Sequence, residues 1–334
     1  MVRIAFLGLG GVGGYFAAKL SRHASATLSM TTGGNVEVVC LAREKTAAAI
    51  RANGIKLITP QEEFVTHPTV VATPDSYRNA RETGKIDFLI VSVKSYALES
   101  SLEQFKECVS PQTIILPLLN GIDAEEKIRA LFPANEVWSG CVYIVSRQTA
   151  PGVITETGNI HRLHFGTGKN VEGREVRKQS DSKSQVLFEV LKSAHDDVFL
   201  HENIREVVWE KFVFISTIAS LTSYLDVCIG KILEHESNRK LLELLLHEIC
   251  RVAHAEKISL PDDIISTTLK KMHNLPYETT SSMHSDFQKL SETEFRSLTA
   301  HVVFLAEKHR LPVPTYRTIL SGLETRSNLS PAKD

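Results

Sequence analysis

Gly8, Gly10 and Gly13 stand in the spacing G-x-G-x-x-G, directly after an apolar run and directly before a helix-forming one. Each glycine then has its own task. The first permits a tight turn off a strand, the second lets the backbone approach a pyrophosphate, and the third lets the helix pack close to the sheet. The loop Gly8, Leu9, Gly10, Gly11, Val12 and Gly13 is therefore a candidate dinucleotide site, with the unpaired N–H groups of the following helix aimed at the phosphates. Arg43 comes at the end of the second apolar run, where an NAD enzyme usually carries a carboxylate. Its guanidinium could pair a 2′-phosphate and so select NADPH/NADP+. Two bland alternatives stand beside that reading: a solvated surface arginine, or an NAD-type contact made by the adjacent Glu44. Lys94 and Asn120 follow two further apolar runs. Ligands of open parallel sheets bind outside the carboxyl ends of the strands. Each residue is thus either a neighbour of the nicotinamide half of the cofactor or an ordinary polar loop residue.

The elements that must position these groups alternate along the first half. Val2–Leu7, Val36–Leu41, Phe88–Val93 and Thr113–Leu118 are apolar at consecutive positions, as strands covered on both faces are. Helical spacing at Tyr15–His23, Lys45–Asn53, Tyr96–Cys108 and Asp123–Leu131 lies between them. This order predicts an α/β Rossmann-type, doubly wound N-terminal domain. Val137–Val145, Gly152–Thr155 and Ile160–Phe165 read as later strands, Gly168–Lys183 as an exposed polar loop, Gln185–Ala194 as a helix and Val198–His201 as a strand. A Ser/Thr/Gly-rich insertion, Ser25–Gly34, stretches the first crossover, and the tail after Arg326 reads as frayed. From Ile204 onward the signal is helical, with long runs at Glu206–Tyr224, Arg239–Lys257 and Glu292–Lys308. The boundary falls near Glu202, giving an NADP-binding domain over 1–202 and an all-α C-terminal domain over 203–334.

Composition excludes several classes. At 334 residues the chain exceeds the size of a single core, and 43% hydrophobic content suits compact folding. A balance of 38 basic and 39 acidic side chains offers no whole-protein attraction for nucleic acid or anionic membrane. The stretch Phe212–Leu221 contains Ser216, Thr217 and Ser220 and is too short to span a bilayer, and Val2–Val12 lacks the pattern of a signal peptide. Five dispersed cysteines without a C-x-x-C pair suit a reducing, cytoplasmic setting. The histidines, including His161/His164 and His301/His309, form no zinc-type ligand set, so no metal is expected.

Taken together in order, these motifs resemble the ketopantoate reductase family. They are the glycine loop with Gly14 and Tyr15, Ala42-Arg43, Val93-Lys94, Leu119-Asn120-Gly121, and Ile204-Arg205-x-x-x-x-Trp209-x-Lys211. Ser281-Ser282-Met283-x-x-Asp286, Thr293-Glu294 and Leu311-Pro312-x-Pro314 continue the pattern. The resemblance implies a Rossmann domain followed by a helical domain, with the active site in the cleft between them. It also implies NADPH-dependent reduction of a 2-keto acid, most specifically 2-dehydropantoate (ketopantoate) to pantoate in pantothenate biosynthesis. On the matching positions it implies Lys211 as proton donor, Asn120 meeting both cofactor and substrate, Ser282 as a substrate contact, and Lys94 and Glu294 as cofactor contacts. The chemistry is coherent: hydride addition builds negative charge on the carbonyl oxygen, and a cationic donor both stabilises that charge and supplies the proton. Lys211 could instead be a snorkelling lysine, but its setting Trp209-Glu210-Lys211-Phe212-Val213-Phe214 predicts burial; Glu294 alone would read as an exposed charge early in a helix.

The sequence departs from the family on the substrate side. Asparagines of the family pattern are replaced by Ile215 and Ala219, which share a helical stripe with Lys211, and by Ile229; the pattern T-E-I-D with a later N-G is altered to Thr293-Glu294-Phe295-Arg296 and Thr299-Ala300. Ser216, Ser220 or Thr222 could supply replacement polar groups. Two alternatives follow: a reductase of a different, less polar 2-keto acid on the same scaffold, and a non-catalytic NADP-binding redox sensor. A small-molecule substrate is the expected partner, with a homodimer the one assembly entertained.

Overall fold

The computed structural model describes residues 1–26, 36–79, 84–168 and 178–328. The chain forms two compact units, Met1–Leu119 with Ala124–Ile204, and Asn120–Asp123 with Arg205–Asp334.

The first unit contains β1 (Val2–Leu7), α1 (Gly11–Ala26), β2 (Val36–Leu41), α2 (Glu44–Asn53), β3 (Ile55–Ile58), β4 (Glu63–Thr66), β5 (Thr69–Val71), α3 (Pro74–Asn79), β6 (Phe88–Val91), α4 (Leu98–Gln104), β7 (Ile114–Pro117), α5 (Ala124–Leu131), β8 (Ser139–Ala150), β9 (Val153–Gly166), α6 (Lys178–Ala194) and β10 (Val198–Leu200). Strands β5-β2-β1-β6-β7 form one parallel sheet in that order. Its strands are buried on consecutive positions because both faces are covered. Ile4, Phe6, Val38, Cys40, Phe88 and Ile90 pack in one layer, and Ala5, Leu7, Val39, Leu41, Leu89 and Val91 in the other. The chain order reverses at β1, so the crevice beyond the carboxyl end of β1 is the place where such a sheet takes a ligand. A second sheet runs β10-β9-β3-β4, with β8 paired antiparallel to β9.

Several elements differ from the sequence expectation. The three strands expected between Val137 and Phe165 are two long ones, β8 and β9, turning at Pro151-Gly152, where Gly152 has φ +77°. Strands β3, β4 and β5 had no expectation; at three or four residues they are too short to display a period. Tyr96–Cys108 is a seven-residue α4 flanked by two 3₁₀ turns. Lys178–Lys183, expected as loop, is helical: this stretch has no apolar residue to give it a helical period in the sequence. Residues 169–177 of that expected loop, residues 27–34 of the expected insertion and residues 329–334 of the tail lie outside the described residues.

The second unit contains α7 (Ile204–Leu225), α8 (Ile229–Glu234), α9 (Glu236–Ala255), α10 (Ile264–His273), α11 (Ser282–Gln288), a π-helical turn (Arg296–Ala300), α12 (His301–Lys308) and α13 (Pro314–Asn328). The single helix expected over Glu292–Lys308 therefore starts later and opens with the π turn. Leu242, Leu245, Leu246, Ile249, Val252 and Ala253 of α9 recur at helical spacing and enter one core with Phe212 and Val213 of α7 and Tyr316, Ile319 and Leu323 of α13. Among the described residues no helix is long and apolar enough to cross a membrane.

A buried carboxylate joins two of these helices. Glu248, 3% exposed on α9, accepts from Thr315 N and Tyr316 N, each at 2.9 Å, and so satisfies the first N–H groups of α13 just after Pro314. Removal would strip two charge-assisted bonds and leave two buried donors without an acceptor. Glu248→Ala is expected to destabilise the protein by about 3 kcal/mol, read from the urea midpoint; a loss below a tenth of that would mean water replaces the carboxylate.

Candidate active site

In the first unit the glycine loop has the three features its spacing predicts. Gly8 adopts φ +95°, and a Cβ there would lie 2.7 Å from Val93. A Cβ on Gly13 would overlap the Gly8 carbonyl and the Ser92 hydroxyl, so only glycine lets α1 sit this close to β1 and the end of β6. A Cβ on Gly10 would meet nothing within 4 Å: its outward side is open, which leaves room for a pyrophosphate. The first helical hydrogen bond runs from Gly14 N to Gly10 O at 2.9 Å, and the first turn of α1 contains no acidic residue. The N–H groups ahead of that bond form a cradle for an anion. Ser92 fixes the turn, donating from Oγ to Gly8 O at 2.8 Å. From the other side the loop meets the hairpin, where a Cβ on Gly11 would overlap the Ser146 carbonyl of β8. The residues present thus fit the phosphates of a dinucleotide.

Ala42 is buried behind β2, and Arg43 is exposed at the N-cap of α2, with no side-chain cap bond. Glu44 pairs with Arg51 at 3.0 Å across the exposed surface of α2. Lys94 is half-buried at the N-cap of the 3₁₀ turn that follows β6.

In the second unit Lys211 Nζ donates to Asn120 Oδ1 at 3.0 Å. Lys211 is 8% exposed, between the buried Trp209, Phe212 and Val213. Glu294 is also buried, and its carbonyl accepts from Ser297 N and Leu298 N, so it opens the π turn. Ser282 is exposed at the first position of α11. That helix is set by its cap: Ser281 Oγ accepts from His284 N at 3.0 Å and bonds Thr222 Oγ1 of α7 at 3.0 Å. Asp226, at the end of α7 with φ +58°, takes bonds from His284 (2.7 Å), Gln288 (2.6 Å) and Arg326 (2.8 Å). Burial opposes ionisation there, but the donors from Arg326 and His284 outweigh it and hold the Asp226 carboxyl below its usual range.

The stripe beyond Lys211 is apolar. Ile215 is half-buried, and Ala219 and Ile229 are buried. The hydroxyls that could have replaced the missing amides are already engaged. Ser216 donates to Leu298 O at 2.6 Å and meets Tyr316 Oη at 2.9 Å; Ser220 pairs with Thr299 at 2.7 Å; Thr222 donates to Ile218 O at 2.7 Å and meets Ser281. Among the described residues no group of three or more His, Cys, Asp or Glu side chains is arranged to hold a metal. Sequence reasoning singled out neither Asp123 nor Ser297, which bond each other at 2.9 Å beside Asn120. An acidic residue in a loop after a strand was the only available signal.

Over residues 4–170 the sequence matches the family described as Ketopantoate reductase PanE/ApbA, and over residues 203–326 its companion, Ketopantoate reductase PanE/ApbA C terminal. The chain belongs to the ketopantoate reductase family. It is 32% identical to the crystal structure of 2-dehydropantoate 2-reductase from Porphyromonas gingivalis W83, which covers 97% of this chain and 99% of that one with a TM-score of 0.78. It is 27% identical over 323 residues to the "Uncharacterized oxidoreductase YkpB" of Bacillus subtilis, 97% of this chain and 98% of that relative. A D-mandelate dehydrogenase in a ternary structure with NADH and anilino(oxo)acetate shares the fold at 18% identity and a TM-score of 0.79, over 98% of this chain and 99% of the other. Ketopantoate reductases are NAD(P)H-dependent oxidoreductases acting on 2-keto acids, and this member keeps that architecture, a parallel-sheet α/β unit followed by a helical one.

Proposed function

We propose that the protein uses NADPH to reduce ketopantoate to pantoate, with Lys211 as the proton donor, in the cytoplasmic synthesis of pantothenate. The observation that carries this reading is the buried residue Lys211, whose amine is held at 3.0 Å by Asn120. When bound, the reduced nicotinamide supplies the hydride. Gly8, Leu9, Gly10, Gly11, Val12 and Gly13 would hold its phosphates, Arg43 its 2′-phosphate, and Lys94 and Glu294 would contact it further along. Lys211 gives its proton to the carbonyl oxygen as negative charge gathers there. Asn120 accepts from the amine through Oδ1, which leaves its own N–H groups to serve as donors to substrate. Ser282 adds a substrate contact. The engaged hydroxyls and the stripe of Ile215, Ala219 and Ile229 favour a second reading, a less polar 2-keto acid on the same machinery. A spectrophotometric NADPH-oxidation screen over 2-keto acids, ketopantoate included, tests both: no turnover with any of them, despite stoichiometric NADPH binding, would leave a non-catalytic cofactor sensor. Light scattering in the same buffer reports whether the protein is a homodimer.

Cofactor choice is tested separately. Glu44 pairs with Arg51, and the exposed Arg43 is the cation at the end of β2 suited to a 2′-phosphate. Arg43→Ala is expected to weaken NADPH about ten- to a hundredfold, one charge-assisted contact's worth, and to leave NADH unchanged. Isothermal titration of both nucleotides measures it, and a wild type that prefers NADH overturns the assignment.

A further inference from the structure

Asn120 reaches Lys211 from a segment with unusual anchorage. Asn120–Asp123 lies between β7 and α5 in sequence, yet it packs as part of the second unit, with Ile122 against that unit's apolar core. Two observations show what holds it. Asp123 Oδ2 accepts from Ser297 Oγ at 2.9 Å, with Asp123 at 7% and Ser297 at 2% exposure. Gly121 between them has φ +96°, and a Cβ there would lie 3.0 Å from Asp123 Oδ1 and 3.2 Å from Ser297 Cβ. The loop is folded tightly onto the π turn, and only glycine allows the approach.

Ser297 lies within the π turn, and its N–H bonds the Glu294 carbonyl at 3.1 Å. The Asp123–Ser297 bond therefore ties the loop that carries Asn120 to the turn whose first N–H groups bond the Glu294 carbonyl. A π turn inserts an extra residue into a helix and re-aims the side chains around it; here it brings Ser297 under the Asn120 loop. We propose that Asp123 and Ser297 are positioning residues, whose hydrogen bond fixes the Asn120 amide against the Lys211 amine. This rests on Lys211 acting as the proton donor.

The pair is proposed to act through Asn120. Its loss should appear in turnover, since a reacting group displaced by about 1 Å can cost roughly a hundredfold. Ser297→Ala and Asp123→Ala are each expected to lower kcat ten- to a hundredfold, with the dissociation constant of NADPH unchanged. The double variant should be no worse than either single one. Asp123→Asn, which keeps an acceptor, should retain kcat within about threefold of wild type. Rates are referred to active sites titrated with NADPH, so a fall in folded fraction is not counted as lost turnover. Unchanged kcat in Ser297→Ala, with a lowered melting midpoint and Lys211→Ala inactive, would make the bond merely structural. So would an Asp123→Asn as slow as Asp123→Ala. Should Lys211→Ala itself retain normal turnover, the proposed function fails, separately from the role of this pair.

Discussion

Lys211→Ala is expected to lower kcat by about two or more orders of magnitude, the range typical of a lost general acid, while NADPH binding stays within a few-fold of wild type. Lys211 is 8% exposed and its amine bonds Asn120, in the helical unit, whereas the phosphate cradle is built from β1, α1 and β6. The two functions should therefore separate in one variant. Fluorescence titration of NADPH and steady-state kinetics on the same preparation check this. Near-normal turnover would remove Lys211 from the reaction. Loss of turnover and nucleotide binding together would show that the side chain serves the cofactor.

The second large effect concerns the substrate. A site that hydrogen-bonds a hydroxyl rejects the analogue lacking it by about four orders of magnitude, whereas an apolar site separates the pair by roughly a hundredfold or less. Beyond Lys211 the helix presents Ile215 and Ala219, with Ile229 buried in the same core. Ser216, Ser220 and Thr222 spend their hydroxyls on Leu298, Thr299, Tyr316, Ile218 and Ser281. Recruiting any of them to a ligand would break a buried bond, which costs about as much as the new one returns. The ratio of kcat/KM for ketopantoate to that for its analogue without the 4-hydroxyl is therefore expected to stay below about a hundred. A preference of many thousandfold would show that some other group reads the hydroxyl.

The cofactor half of the site was far more legible in the sequence than the substrate half, for a physical reason. Gly8, Gly10 and Gly13 are constrained by backbone geometry alone, so their spacing carries their meaning: positive φ, an open side and a close approach respectively. The parallel strands β1, β2, β6 and β7 showed themselves because burial on both faces leaves a continuous apolar run. Asn120 stood out by its place after a strand and Lys211 through the family resemblance, but nothing in a sequence says that two residues so far apart come within 3.0 Å. The Asp123–Ser297 bond and the π turn lay beyond reach, because helical periodicity is blind to one inserted residue. The serines and threonines of α7 were ambiguous for a related reason. A hydroxyl on a buried helix can turn inward to a neighbour or outward to a ligand, and only the packed partners, Leu298 O and Thr299 among them, decide which.

The hairpin beneath the glycine loop alters how the loop's inheritance should be understood. Strand pairing between β8 and β9 shifts register between Ile144 and Ser146, and the irregularity stands where the Ser146 carbonyl lies against Gly11. Bulges of this kind re-aim a strand locally. The first βαβ segment is accordingly not a self-sufficient cassette, since part of its floor is laid by chain synthesised much later. Because that floor is the Ser146 carbonyl with its small, buried hydroxyl close beside it, a bulkier side chain at position 146, like an insertion or deletion in the hairpin, would be felt in the glycine loop.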